Sequence, residues 1–197
     1  YDDGGKLNHN NELKVDGLNI VCGGETWQYS GGADDAVAEY DASAAQDRSV
    51  LLKVYANDDG THYAEVTGTG AMMDWANKSS VPWKAYFPTL ASISFGEGVT
   101  SIGSHTCDCW PYDGKKLTSI MIASTVETIG ASAFYYCSEI TYVRIGDGVK
   151  TIGDSAFSAC SKLASVYLPS SLQQIGNHAF DYCHLLGKLN PVVLPSS

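Results

Sequence analysis

No run of this chain comes near the roughly 18 consecutive apolar residues that a membrane helix requires, so it contains no spanning helix of that kind. A charged start followed by an apolar stretch is also missing, which leaves no leader peptide to recognise. Basic residues are few, at 12 of 197, and nowhere form the positive stripe that phosphate binding needs; nucleic acid is therefore not an expected partner. The net charge of −10 is unevenly spread. Residues 1–66 hold 13 acids and 4 bases, and the remainder 9 and 8, so the acidity belongs to the first third and reads as a solvated face. The signatures of nucleophile elbows and phosphate-cradling glycine loops are absent, although five histidines are present. His178 and His184 fall at positions expected to face solvent. No enzyme activity and no cofactor are expected from these residues.

What is present is a repeat. Three stretches align without gaps at a 23-residue period: LTSIMIASTVETIGASAFYYCSE from Leu117, ITYVRIGDGVKTIGDSAFSACSK from Ile140 and LASVYLPSSLQQIGNHAFDYCHL from Leu163. Their common frame is L-x-x-I-x-I-x-x-x-V-x-x-I-G-x-x-A-F-x-x-C. Ile129-Gly130, Ile152-Gly153 and Ile175-Gly176 recur, as do Phe134, Phe157 and Phe180, and Cys137, Cys160 and Cys183. A degenerate copy starts at Leu90, with Thr106 and Cys107 in the Ala-Phe positions. About four residues are inserted after it, around Trp110 to Gly114. A partial copy from Leu186 could supply one further strand, whose bare edge would invite dimerisation or another repeat.

Each copy carries eight inward apolar positions, too few to fold alone, so the copies must stack. L-x-x-I-x-I suggests a short strand, V-x-x-I-G a second extended piece, and A-F-x-x-C a turn or short helical return. Stacking at about 4.8 Å would build parallel sheets with ladders of Ile, Phe and Cys inside. The fixed Gly is explained by a turn with positive φ or by close packing between coils. The fold class expected is a mostly β repeat solenoid over 90–197, with repeats from 90, 117, 140, 163 and in part 186. Residues 1–89 are read as a β-rich cap, an independent small domain being the alternative. In that region SVLLKVYANDDGTHYAEVTGTG predicts a hairpin near 50–66 around Asp59-Gly60. ELKVDGLNIVCG suggests a strand or two, and the good helix formers of DDAVAEYDASAAQ predict one helix over 34–46.

In this frame the sequence resembles the BspA-type leucine-rich repeats of bacterial surface proteins, whose unit reads close to LTSITIP-x-SVTSIGDYAFSGCSS. The resemblance covers 90–197 and reaches upstream, where Gly68, Gly70, Ala71, Met72, Pro82 and Trp83 stand at positions that commonly lead into such repeats. It implies an extracellular or cell-surface protein whose leader has been removed, with adhesion or host-matrix binding as the activity of some members. It carries over no catalytic residue.

Candidate chemistry is sparse. Neighbouring ladder cysteines should point the same way with Cβ atoms too far apart for a bridge, which favours free buried thiols. A bridge from Cys22 to Cys107 or Cys109 stays open. His105-Thr106-Cys107-Asp108-Cys109 holds ligand-type residues, but C-x-C is tighter than zinc spacing and no second pair follows. The acidic pairs Asp2-Asp3, Asp34-Asp35 and Asp58-Asp59 lack the spacing of a calcium loop. No metal site is expected. The third and fifth positions of L-x-x-I-x-I should face outward. They are Ser92 and Ser94, Ser119 and Met121, Tyr142 and Arg144, and Ser165 and Tyr167. Met121, Tyr142, Arg144 and Tyr167 have the composition favoured at recognition surfaces, and Trp110 and Tyr112 extend the set on the inserted loop. The expected partner is a protein, such as one of a host matrix, or a glycan stacked on the aromatics. A structural spacer without ligand is the alternative.

Overall fold

The computed structural model describes residues 36–109 and 117–187, together with the backbone of three strands nearer the N-terminus. The chain divides into two compact units, 1–34 and 35–197. The first contains an antiparallel sheet of β1 (Lys14–Asp16), β2 (Asn19–Cys22) and β3 (Glu25–Gln28) in that order.

The second unit begins with β4 (Ala38–Asp41), β5 (Val50–Ala56) and β6 (His62–Gly68), an antiparallel run in which β5 and β6 pair over their full length around the Asn57–Gly60 turn. β6 then runs parallel to β8 (Leu90–Phe95), which pairs in register with β10 (Ser119–Ile122). β12 (Tyr142–Arg144) lies against β10 and pairs in parallel with β14 (Ser165–Tyr167). On a second side, β7 (Gly70–Ala71), β9 (Val99–Ile102), β11 (Thr128–Ile129), β13 (Thr151–Ile152) and β15 (Gln174–Ile175) form an all-parallel sheet. Ile102, Ile129, Ile152 and Ile175 occupy one register position in it, so the 23-residue period is one turn of a coil.

The third side is made by A-F-x-x-C. It is a chain of turns rather than a helix. Ala133, Tyr135 and Cys137 N–H close i→i−3 bonds within the coil, while Ser132, Phe134 and Tyr136 N–H donate to Asp154, Ala156 and Ser158 carbonyls of the next coil. Alternate amides thus serve alternate partners. Ser132, Ser155 and His178 have φ between 53° and 57°, and Tyr136, Ala159 and Tyr182 between 56° and 62°.

The glycines of the Ile-Gly pairs are not in that region. A methyl group on Gly130 would meet Ser104 N at 2.5 Å and Gly103 C at 2.8 Å, and one on Gly153 would meet Ala131 N at 2.7 Å. Close packing between coils is the reason for glycine there.

The core runs unbroken through the second unit. Phe134 and Phe157 stack at 5.2 Å, and Phe157 and Phe180 at 5.4 Å. Ile129, Ile152, Phe134, Phe157, Cys137 and Cys160 are buried, whereas Phe180 and Cys183 are half-buried and Ile175 is 46% exposed. Ile175 therefore departs from the expected interior position, because it forms the outermost rung of the described ladder. At the other end the coil is closed by aromatics. Trp83 is buried, donates Nε1–H to Thr106 O at 2.9 Å, and packs against Trp75 and Tyr40.

Two sequence expectations change here. The helix over 34–46 is replaced, over its described part, by strand β4 and a turn. The open edge of β5 offers hydrogen bonds, and Ala38 and Tyr40 alternate onto the core, which outweighs the helix preference of Ala and Glu. Residues 62–74 wind as a coil of their own: β6 and β7 pair in parallel with β8 and β9, with a one-residue register shift at His62/Tyr63 and another at Gly70/Ala71. Asp74 Oδ1 accepts Ser104 N–H at 2.8 Å, as Asp154 Oδ1 accepts Asn177 N–H at 2.7 Å one period apart. Residues 188–197 of the partial copy lie outside the described residues.

Candidate functional site

Strand alternation in β8, β10, β12 and β14 buries Ile93, Ile120, Val143 and Val166 and turns the residues on either side of each outward. Ser92 pairs with Ser119 and Ser94 with Met121; Tyr142 pairs with Ser165 and Arg144 with Tyr167. The side chains form two rows across the sheet. Tyr142 is 52% and Tyr167 37% exposed, while Met121 is half-buried. The Arg144 guanidinium lies 5.4 Å from the centre of the Tyr167 ring, and its Nη2 donates to Asp147 Oδ2 at 3.2 Å. Arg144 is thus held between a ring face and a carboxylate, a cation–π geometry that limits its rotamers. Desolvation by its surroundings raises the Tyr142 phenol above its ordinary pKa.

The rows continue beyond the repeats. Tyr63 pairs with Ser92 and Glu65 with Ser94, and on β5 Tyr55 stacks on Tyr63 at 4.7 Å while Lys53 lies opposite Glu65. Burial raises the Glu65 carboxyl above the usual range, with Lys53 opposing the shift. These residues were not expected on the face. The signal lay in the alternation of Leu51, Lys53 and Tyr55, legible only once β6 is known to pair with β8. Trp110 and Tyr112 lie outside the described residues.

The other candidates resolve into local structure. His105 Nδ1 and Asp108 Oδ2 are 2.9 Å apart, and His178 Nδ1 and Asp181 Oδ2 3.0 Å apart, at the same repeat position three coils further on. Each pair spans the same turn, with its His at positive φ. Asp59 Oδ1 accepts the Thr61 N–H and hydroxyl, a turn contact within the β5–β6 loop. Among the described residues no three His, Cys, Asp or Glu side chains come together as a metal site.

The ladder thiols have a role beyond filling space. Cys137, Cys160 and Cys183 point S–H at the carbonyls of Cys107, Phe134 and Phe157 in the preceding coil, at 3.2, 3.4 and 3.2 Å. A thiol is small enough for the interior and still satisfies a carbonyl that the turn leaves exposed to no water. Burial pushes all three pKa values up, that of Cys183 to about 11, so these sulfurs are poor nucleophiles.

Among described residues no helix is long and apolar enough to cross a membrane. The chain is similar in structure to a leucine-rich repeat protein of Eubacterium ventriosum, with 26% identity and a TM-score of 0.55 over 74% of this chain and 35% of that one. It therefore spans about a third of the length of that protein. A leucine-rich repeat protein of T. pallidum matches at 22% identity and TM-score 0.49, over 68% of this chain and 66% of the other. A leucine-rich cell surface protein of Faecalibacterium prausnitzii matches at 20% identity and TM-score 0.32, over 78% and 54%. Among curated proteins none matches. The BspA-type leucine-rich-repeat profile matches six copies over residues 84–190, and the chain belongs to that family.

Proposed function

We propose that this chain is a non-catalytic recognition module of a bacterial cell surface or secreted protein, which binds a protein partner in an adhesion-like manner through the outer sheet face around Tyr142, Arg144 and Tyr167. The observation that carries this reading is the rigid placement of these three side chains on adjacent strands. Tyr142 and Tyr167 are exposed, and Arg144 is braced by the Tyr167 ring and Asp147. Large aromatic and guanidinium groups whose conformational entropy is already spent are the side chains that contribute most at interfaces. Family membership supports the surface location, because BspA-type repeats are the repeats of bacterial surface proteins. Met121 widens the apolar part of the same patch.

The test is a triple substitution, Tyr142→Ala, Arg144→Ala and Tyr167→Ala, in a chain screened against arrays of extracellular matrix proteins and of glycans. The expected result is capture of a protein by the parent chain, a loss of at least tenfold in affinity in the variant, and an unchanged melting temperature, since all three side chains leave the core intact. Capture of a glycan alone would reject a protein partner. Binding that survives the substitutions would move the site elsewhere, and no binding on either array would favour a spacer.

A further inference from the structure

We propose that Cys109 and Cys137 are a cross-linking site, closed to a disulfide as the chain folds in an oxidising environment. Their Sγ atoms lie 3.6 Å apart, in van der Waals contact, and both side chains are buried. The reason lies in register. Cysteine stands three residues after Phe in each regular copy, so Cys137, Cys160 and Cys183 follow one another by a pure translation and their thiols point alike. In the degenerate copy the residue three beyond Cys107 is Trp110, and Cys109 stands one place early. Its N–H donates to Tyr135 O at 2.9 Å in the neighbouring coil, as Tyr136 N–H does to Ser158 O one coil on, so the backbone keeps the regular pattern while a cysteine stands one place nearer the Phe position. Among the described thiols this is the pair whose sulfurs meet. A covalent S–S bond of about 2.05 Å needs an approach of roughly 1.5 Å, within reach of small χ rotations in the two side chains.

The step balances with a low-molecular-weight disulfide such as oxidised glutathione. The Cys109 thiolate attacks one glutathione sulfur, the glutathione S–S bond breaks, and one glutathione leaves. The Cys137 thiolate then attacks Cys109 Sγ and expels the second, and the two protein protons end on the two glutathione thiols. Cys137 gives up its S–H bond to Cys107 O in the process. Burial raises the Cys137 thiol well above its ordinary pKa in the folded chain, so exchange belongs to the folding reaction, before the coils close over the sulfurs. After closure the same burial shields the bridge from reductant. The cysteines are 28 residues apart, and the loop between them contains the four-residue insertion.

The experiment is to refold the full chain with reduced and oxidised glutathione at mildly alkaline pH, alkylate remaining thiols, digest without reduction and identify the peptides by mass spectrometry. The expected product is a peptide pair joined through Cys109 and Cys137 and lighter than its parts by two hydrogens, with Cys160 and Cys183 alkylated on denaturation. The bridged chain should melt higher than the reduced chain by on the order of 10 °C. Cys109→Ala should abolish that difference, and Cys160→Ala should retain it. Recovery of alkylated Cys109 and Cys137 from refolded protein, or a bridge through Cys107 or Cys22 in their place, would overturn the assignment.

Discussion

At Gly153 an added methyl group would sit 2.7 Å from the Ala131 nitrogen and 2.8 Å from the Gly130 carbonyl carbon, and both obstacles are backbone. Neither yields without separating two coils. Gly60 offers the opposite case: its φ is +78°, but nothing lies within 4 Å of the position a Cβ would take. Gly60→Ala should therefore cost about 1 kcal/mol, from conformation alone. Gly153→Ala should cost about 3 kcal/mol, from overpacking against atoms that have no rotamer to change. Urea denaturation of the two variants checks this, since a shift in midpoint at constant slope reports stability. Equal costs would mean that the coils part freely. The recurrence of Gly was plain in the sequence, and its cause was not, because a turn glycine and a packing glycine leave the same letter. The positive-φ residues were less legible still. Ser132, Tyr136 and Ala159 share no composition, and each donates its N–H to a carbonyl of the neighbouring coil.

At the scale of single elements, the strands and the phenylalanine ladder were visible in advance and one element was misread. Phe157 lies fully buried between the rings of Phe134 and Phe180. Phe157→Ala should cost about 3–5 kcal/mol, measured in the same denaturation, because the rings on either side are fixed by their own coils and cannot collapse into the void. The degenerate copy shows how the protein itself meets this loss. Cys107 replaces the ring, and Phe95 enters from strand β8, where other copies carry Ile122, Ile145 and Leu168; it packs edge-on against Phe134 at 5.9 Å. Aromatic volume is conserved while its source moves from turn to strand. An alignment of letters shows two mismatches there, and only the coil shows that they compensate. The strand β4 was misread for a related reason: its partner, β5, lies across a turn, and local propensity contains no record of it.

Over the whole second unit, stability should be distributed by position along the stack. The Ile-Gly amides isolate this effect. Gly130, Gly153 and Gly176 N–H donate to Ile102, Ile129 and Ile152 carbonyls at 2.8, 2.8 and 2.7 Å, so the bonds themselves are equivalent. Their surroundings are not: Ile129 and Ile152 beside them are fully buried, and Ile175 is 46% exposed. In a stack where each coil contacts its neighbours only, an outer rung opens without disturbing inner ones, whereas an inner rung opens only with much of the unit. Native-state hydrogen exchange should therefore find Gly130 and Gly153 protected by at least tenfold more than Gly176. Three equal protection factors would show instead that the unit opens as one body, with the hydrophobic column coupling distant coils directly. That outcome would leave the ladder geometry in place and remove the nearest-neighbour energetics from it. The exposed face has a stake in the answer, because Tyr142 stands on a strand between Ile129 and Ile152 in the chain, in the part of the stack expected to stay closed. Tyr167, which braces Arg144, belongs instead to the copy that carries Gly176, so opening of the outer rung would loosen one side of the face while Tyr142 stays placed.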